Sequence, residues 1–308
     1  MCNNVPMRAI FAVLFAALCF GTTGTAQALA AVDASPLAVG AARVLVGGAL
    51  LGGIALVSWR RSRPVGRIAP GNLARVLVGA LGVLTYQPLF FAGTSSVGVA
   101  LGTVIALGAA PVFTGVLDSV IHRRRPSLRW CLVTALALFG VALASGVFAG
   151  AESMSGGPLG VLASLGAGLS YAVYALASKS LLDRGWASSH VMGALFGSAA
   201  ALSLPVLFAA GAAWVVTPRG LGLTLWLGVI TVAVAYLSFG WGLRSLSANT
   251  VATLTLAEPL TAALLGIAVL GETLSPMTTL GFIILGAALV LLSLPARETR
   301  RPRVPQAA

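Results

Sequence analysis

Glu258 and Pro259 lie side by side in an apolar stretch, residues 251–276, that is long enough to cross a lipid bilayer. A carboxyl group at this depth costs about 2–3 kcal/mol on insertion scales. A proline removes one backbone hydrogen bond and bends its helix. A span tolerates both features where polar groups or water meet them, so the pair indicates a position with a chemical role.

Two kinds of chemistry are open to Glu258. It could face a wet cavity and exchange a proton for a substrate, which would make it a coupling site. Apolar surroundings favour a neutral carboxyl group, whereas a cationic substrate or Arg43 favours a carboxylate. Alternatively, a protonated Glu258 donates a hydrogen bond to a backbone carbonyl and locks the helix. The sequence leaves both alternatives open.

Proline interrupts a second apolar run at Pro111. Pro259 would leave the carbonyl of Thr255 without its usual partner, and Pro111 would do the same to Leu107. Free carbonyls at membrane depth are tolerated where they meet polar groups or water. Pro111 and Pro259 therefore predict bent helices beside a central cavity.

Arg43 lies about two turns into another apolar run, in SPLAVGAARVL. An arginine there faces a partner or a wet cavity, or it extends to the outer headgroups. All four tyrosines lie within apolar runs rather than clearly at their ends, where an interfacial belt would lie. Thr22 belongs to a polar stripe that could line a cavity or pack against a neighbouring helix. The candidate substrate-binding or coupling residues are Glu258, Arg43, Tyr86, Tyr236, Gln87, Thr22, Tyr171 and Tyr174.

The composition requires that these residues be positioned by helices in lipid. Of 308 residues, 58% are hydrophobic and only 8% are charged, and the mean hydropathy is +0.99. A water-soluble domain needs more polar surface than this. Runs of about twenty apolar residues predict an all-α integral membrane protein with ten transmembrane helices. They fall at about 8–31, 36–58, 73–93, 95–121, 129–148, 158–180, 189–211, 221–243, 249–270 and 275–294.

Charged residues between the runs predict the orientation. Basic residues cluster beside apolar runs at 60–67, 123–129 and 297–303. The loops on the opposite side of the membrane from these clusters carry three acids and one base, namely Asp33, Glu152, Glu272 and Arg219. Because basic loops stay in the cytoplasm, both termini are expected there. The clusters are short and lack interleaved aromatic residues, so nucleic acid is not an expected partner despite the net charge of +12.

The two halves of the chain match each other in order. Tyr86 matches Tyr236 at an offset of 150 residues, and Pro111 matches Pro259 at an offset of 148. Five spans per half is an odd number, so the halves enter the membrane from opposite sides. Such inverted repeats place a transport site near the midplane. We expect a first five-helix repeat at 8–148, a second at 158–294 and a basic cytoplasmic tail at 295–308.

Specific segments resemble a known family. These are CFGTTG in the first span, Pro36 and Arg43 in the second, and EPLTAALLGIAVLGETLSPMTTLGFIILGAALVLL at 258–292. Together with the five-plus-five arrangement, they resemble the EamA family of the drug/metabolite transporter superfamily. The resemblance implies a central cavity with spans 5 and 10 at the periphery, no cofactor and no ATP hydrolysis. The sequence departs from the family at Arg124, where an acidic residue often lies opposite Glu272.

The resemblance also implies a function, because members of the family export amino acids, other small metabolites and some toxic compounds. We therefore expect a secondary active exporter in the bacterial plasma membrane that works by alternating access. If Glu258 exchanges a proton for the substrate, the exporter is coupled to protons. Its partners would be a small-molecule substrate and the bilayer. An intramembrane enzyme and a non-transporting scaffold are the alternatives, and neither requires an inverted repeat. No catalytic motif or metal-ligand spacing is present, so neither catalytic nor metal residues are expected.

Overall fold

The computed structural model describes residues 7–61, 70–123, 125–145, 157–271 and 273–294. Across these residues the chain is almost entirely helical and contains no β-strand. Nine helical segments within them are long and apolar enough to cross a membrane, and a tenth, Leu128–Ala144, is apolar but shorter. The predicted all-α membrane protein is confirmed. The predictions about Arg124, Glu152, Glu272 and the tail at 295–308 lie outside the described residues.

Each predicted span coincides with a helical segment. The first half contains α1 (Met7–Ala30), α2 (Pro36–Arg61), α3 (Pro70–Val97), α4 (Val99–His122) and α5 (Leu128–Ala144). The second half begins with α6 (Gly157–Leu182) and α7 (Ser188–Ala210). Its third span joins α8 (Pro218–Trp226), a π-helical segment (Leu227–Val234) and α9 (Ala235–Ser245) without a break. Its fourth span is divided into α10 (Ala248–Leu254) and α11 (Ala257–Leu270), and α12 (Pro276–Ser293) follows.

Side-chain caps and a glycine determine several helix ends. Ser275 accepts a hydrogen bond from the backbone N–H of Thr278 at 3.1 Å, and Pro276 occupies the first turn of α12. Ser275 is therefore the N-cap of α12, and a proline in the first turn is compatible with the helix. Ser127 caps α5 in the same way. Gly271 ends α11 with φ of 70°, a conformation that glycine adopts without steric cost.

Helices of the two halves pack in reciprocal pairs. α2 lies along α7, and α5 lies along α12. α6 packs against α3 and α4, while α1 packs against the span of α8 and α9 and against α11. If each helix is replaced by the corresponding helix of the other half, for example α1 by α6, the same pairs of helices are in contact. The core of the bundle is therefore shared between the halves rather than divided into two separate cores.

The fourth span of the second half breaks at Thr255 and Leu256. The backbone N–H of Glu258 donates to the carbonyl oxygen of Thr255 at 3.0 Å. The prediction of an unpaired Thr255 carbonyl is therefore wrong, because the chain forms a tighter turn before Pro259 and pairs that oxygen. Pro259 lies in the first turn of α11, where a missing N–H is tolerated. Pro111 lies inside α4, which is helical along its whole length.

Candidate functional site

A cavity of about 340 Å³ lies between α1, α2, α3, α4, α6 and the two irregular spans. Its lining residues in these four helices fall within 20–27 of α1, 39–43 of α2, 86–91 of α3 and 103–110 of α4. These positions fall in the helix halves nearest the membrane face where α1 ends and α2 begins, here named the α1–α2 face. The other face is named the opposite face. The cavity therefore extends from mid-membrane toward the α1–α2 face.

Apolar packing closes the half of the bundle near the opposite face. Val13 of α1, Leu51 of α2, Leu195 of α7 and Leu243 of α9 are fully buried there in one hydrophobic cluster. Tyr174 and other residues of the same cluster also border the cavity. The cavity thus ends at a packed core and does not extend to the opposite face.

The structure brings most of the predicted site residues together. Seven of the eight line this one cavity, namely Glu258, Arg43, Tyr86, Tyr236, Gln87, Tyr171 and Tyr174. They come from five separate spans, which the helix packing brings to one level of the membrane.

Arg43 and Glu258 place a cationic and an acidic group on the wall of the same cavity. The ion pairs within 4.0 Å in the described part of the chain include neither residue. The Nε atom of Arg43 is buried and has no hydrogen-bond partner there. The backbone N–H of Glu258 donates to Thr255, and the side-chain hydrogen bonds among the described residues do not include its carboxyl group. Both charged groups can therefore contact a molecule in the cavity.

Tyrosines form the floor of the cavity at mid-membrane. The hydroxyl oxygens of Tyr174 and Tyr236 are 3.3 Å apart, and the hydroxyl of Tyr171 lies 3.1 Å from Oγ1 of Thr255. The ring of Tyr236 packs on Phe196, with centroids 4.0 Å apart. Buried tyrosine hydroxyls require such partners. The floor therefore ties α6 to both irregular spans of the second half.

Tyr86 and Gln87 form the wall on α3. Tyr86 stacks on Phe90, with centroids 5.9 Å apart and an angle of 14° between the rings. Gln87 is buried and lies against Gly40 of α2, where a Cβ atom would be 3.2 Å from Cβ of Gln87 and 3.3 Å from its Oε1. Glycine at residue 40 therefore leaves the space that the Gln87 side chain occupies beside Arg43.

The structure corrects the cavity-lining prediction for Thr22. Its hydroxyl donates to the carbonyl of Cys19 at 2.8 Å and accepts from the indole N–H of Trp226 at 3.1 Å. Thr23 and Gln27 line the cavity instead. Successive residues of an α-helix are rotated by about 100°, so adjacent threonines point in different directions. Thr22 connects α1 to α8.

Sequence reasoning missed the apolar part of the lining. Phe20, Phe90, Phe91 and Leu107 border the cavity together with the predicted polar residues. Helical spacing could have found Phe90, which lies one turn beyond Tyr86 on the same face. Phe20 lies one turn before Thr23 in the polar stripe of the first span. Phe91 and Leu107 lie in apolar runs, where no periodic pattern distinguishes a residue that faces a cavity from one that faces lipid.

A family model described as EamA-like transporter family matches residues 7–146 and 158–294. The chain belongs to this family. The two segments matched by the EamA model together cover the ten spans, with a short gap at the middle of the chain. The predicted family is thereby confirmed.

Two comparisons add to the EamA assignment. A protein of Bacillus subtilis (strain 168), named "Uncharacterized transporter YwfM", is 39% identical over 288 residues, which cover 94% of each chain. A solved crystal structure has the same fold at a TM-score of 0.74, with 18% identity over 94% of this chain and 98% of that one. This EamA chain is a multi-pass membrane transporter of the drug/metabolite kind.

Proposed function

We propose that the chain is a secondary active transporter that exports a small zwitterionic metabolite, such as an amino acid, by alternating access. The observation that carries the proposal is the placement of Arg43 and Glu258 on one cavity without an ion pair between them. Charged groups within a membrane are costly, and they mark the pathways of substrates and ions. A single cation and a single acid in one cavity favour a ligand with both charges.

The lining supplies a partner for each part of an amino acid. The guanidinium of Arg43 can donate two parallel hydrogen bonds to a carboxylate. The carboxylate form of Glu258 can accept hydrogen bonds from an ammonium group. Phe20, Tyr86 and Phe90 provide apolar surface for a side chain. A cavity of about 340 Å³ falls in the range of pockets that bind small molecules.

The reciprocal helix packing supports two inverted repeats at 8–148 and 158–294. In such a pair, the α2–α7 and α5–α12 contacts map onto themselves, whereas the contacts of α1 map onto those of α6. Inverted repeats allow each half to adopt the conformation of the other. That exchange would close the α1–α2 face and open the cavity to the opposite face.

The distribution of loop charges supports an orientation with both termini in the bacterial cytoplasm. The α1–α2 face then points outward, so the described conformation corresponds to an outward-open state. In this state the substrate leaves and a proton from outside binds Glu258. After the cavity opens inward, Glu258 releases the proton, and its carboxylate binds the ammonium group of the next substrate. One proton thus enters for each zwitterion exported.

Thermal-shift measurements on the purified protein in detergent test the substrate class. Each amino acid is compared with the amine that lacks its carboxyl group and with the acid that lacks its amino group. A ligand that binds only the folded state raises the melting temperature with its concentration. We expect at least one intact amino acid to stabilise the protein more than either fragment does. Equal stabilisation by the fragments would exclude recognition of a zwitterion.

A variant of Arg43 tests the assigned contact directly. Arg43→Gln should remove the preference for ligands that have a carboxylate. Arg219→Gln changes an exposed arginine near the start of α8 and serves as the matched control, which should keep that preference. If Arg43→Gln keeps the preference as well, the assignment of Arg43 to the substrate carboxylate is wrong.

A further inference from the structure

Two arginines near the opposite face converge on one hydroxyl group. Nε of Arg75 donates to Oγ of Ser180 at 3.0 Å, and Nη1 of Arg184 donates to the same oxygen at 2.7 Å. Arg184 also donates to the carbonyl of Ser180 at 2.9 Å, and Arg75 donates to the carbonyl of Gly71. The guanidinium group of Arg75 in α3 therefore lies next to that of Arg184, which follows the end of α6.

No carboxylate of the described residues neutralises this pair of arginines. Asp183 precedes Arg184 in the chain, but its ion pair is with Lys179 at 3.0 Å. Neither Arg75 nor Arg184 forms an ion pair within 4.0 Å in the described ranges. Because the two guanidinium groups bind the same oxygen atom, their positive charges lie close together and repel each other. An anion bound between them would remove the repulsion. Both guanidinium groups keep further N–H donors, since each has five.

Chain neighbours of both arginines line an apolar groove of about 530 Å³. It lies between α2, α3 and α7, and glycines form part of its wall, at Gly52, Gly53, Gly193 and Gly197. Leu73, two residues before Arg75, and Trp186, two residues after Arg184, line it. The rings of Trp59 and Trp186 meet edge to face at 6.1 Å. Tryptophan is enriched at the level of lipid headgroups.

The groove faces the surrounding membrane rather than the protein interior. Leu56 and Leu73, which line it, keep 58% and 49% of their surface exposed. A Cβ atom added to Gly53 would meet no atom within 4 Å. An apolar chain can therefore enter the groove from the lipid phase.

We propose that Arg75, Arg184 and this groove bind one anionic phospholipid. The headgroup phosphate lies between the two guanidinium groups, which can each donate paired hydrogen bonds to phosphate oxygens. One acyl chain lies in the groove against Gly53 and Leu73. A phospholipid is favoured over free phosphate because chain neighbours of both arginines, Leu73 and Trp186, line the apolar groove. The site is separate from the transport cavity, and the proposal does not depend on the transported substrate.

Native mass spectrometry and melting curves of the protein in neutral detergent test the lipid site. The probes are phosphatidylglycerol, phosphatidylcholine with the same acyl chains, and inorganic phosphate. We expect one retained phosphatidylglycerol per protein and a higher melting temperature with this lipid than with either other probe. Equal stabilisation by phosphatidylcholine would contradict an anionic site, and equal stabilisation by inorganic phosphate would contradict a lipid ligand.

Variants separate the headgroup contact from the groove. Arg75→Gln with Arg184→Gln should weaken phosphatidylglycerol binding about tenfold or more, because two charge-assisted contacts are lost. The control Arg123→Gln, which alters an exposed arginine at the end of α4, should bind as the unmodified protein does. Unchanged binding by the double variant would overturn the proposal.

Gly53→Leu provides a second test that alters no charge and enters open space. The added side chain should fill the groove and weaken binding of long-chain phosphatidylglycerol several-fold, while a short-chain analogue binds as before. Unchanged binding of the long-chain lipid would contradict the placement of an acyl chain in the groove.

Discussion

At the scale of single residues, the cavity tyrosines differ in what their hydroxyl groups contact. Tyr171 lies 3.1 Å from Oγ1 of Thr255, at the break between α10 and α11. The hydroxyl of Tyr86 makes no hydrogen bond within the described ranges, although its ring stacks on Phe90. Removal of the two hydroxyl groups should therefore have different consequences.

Tyr171→Phe should lower the stability of the protein. The substitution removes one buried hydrogen bond, and the typical net loss is about 0.5–1.5 kcal/mol. Thr255 keeps its own bond to the carbonyl of Ala252 at 2.9 Å, so the fold should survive. The melting temperature of the purified protein measures the effect. An unchanged melting temperature for Tyr171→Phe would show that this hydrogen bond does not stabilise the protein.

Tyr86→Phe should weaken transport without a change in melting temperature, because Tyr86 lines the cavity and its hydroxyl forms no hydrogen bond to a described residue. Tyr236→Phe should weaken transport as well, and it also loses the contact with the hydroxyl of Tyr174 at 3.3 Å. Initial rates in reconstituted vesicles measure both effects. If both variants transport the substrate at the normal rate, their hydroxyl groups have no role in transport.

Residue types predicted the chemistry of the site. They did not predict for every residue whether its side chain faces the cavity. Arg43 and Glu258 are charged groups in apolar runs, and the high cost of burying them marks them in the sequence. Thr22 and Thr23 are chemically identical neighbours, and only the neighbouring helices decide which of them faces the cavity. Trp226 bonds to Thr22 across the bundle, and no local pattern predicts that contact.

At the scale of helices, glycine permits the close approach of α5 and α12. A Cβ atom on Gly140 would lie 2.7 Å from the backbone nitrogen of Leu285 and 2.8 Å from the carbonyl oxygen of Gly281. Gly140→Ala should therefore separate the two helices and destabilise the protein by about 1–3 kcal/mol. Gly286→Ala in α12 is the matched control, since its Cβ would meet nothing within 4 Å. Melting curves that do not distinguish the two variants would contradict this packing.

A buried hydrogen-bond network anchors α10 to α5. The indole N–H of Trp130 donates to Oγ1 of Thr253 at 3.1 Å, and Oγ1 of Thr134 lies 3.0 Å from the same atom. Thr253→Val leaves the hydroxyl of Thr134 without this partner, whereas the indole N–H of Trp130 keeps a bond to the carbonyl oxygen of Asn249 at 3.2 Å. The loss of a buried partner should cost about 1–3 kcal/mol. Thr253→Ser keeps the hydroxyl group and should cost less. Equal melting temperatures for the Val and Ser variants would show that the hydroxyl group has no stabilising role.

The positions of the helices followed from the sequence, whereas two irregularities did not. Long apolar runs and the N-cap at Ser275 are local signals that persist whatever the chain packs against. The π-helical segment lies where Gly228 meets Val46 and Gly47 of α2. The break at Thr255 is stabilised by Tyr171 of another helix. Both depend on contacts between distant parts of the chain, which hydropathy does not encode.

At the scale of the whole molecule, the orientation in the membrane decides which state the cavity represents. Asp33 and Ala187 are exposed residues in connections that the charge pattern places on opposite sides. Cysteines introduced at these positions, in a background free of native cysteines, should react differently with an impermeant reagent in intact cells. We expect labelling at residue 33 and protection at residue 187. Labelling at 187 with protection at 33 would reverse the proposed direction of transport.

The central claim is that Glu258 exchanges a proton for a zwitterionic substrate. Its most direct test is transport driven by a pH gradient in reconstituted vesicles, with the radiolabelled amino acid that stabilises the purified protein most. Glu258→Gln keeps the size of the side chain and its ability to donate a hydrogen bond, but it cannot titrate. Asp33→Asn changes an exposed acid outside the cavity and is the matched control.

The unmodified protein and Asp33→Asn should accumulate the amino acid against its concentration gradient when a pH gradient is imposed. Glu258→Gln should fold with a normal melting temperature, and it should show no accumulation driven by the pH gradient. Accumulation by Glu258→Gln equal to that of the unmodified protein would contradict the claim and leave Glu258 with a structural role.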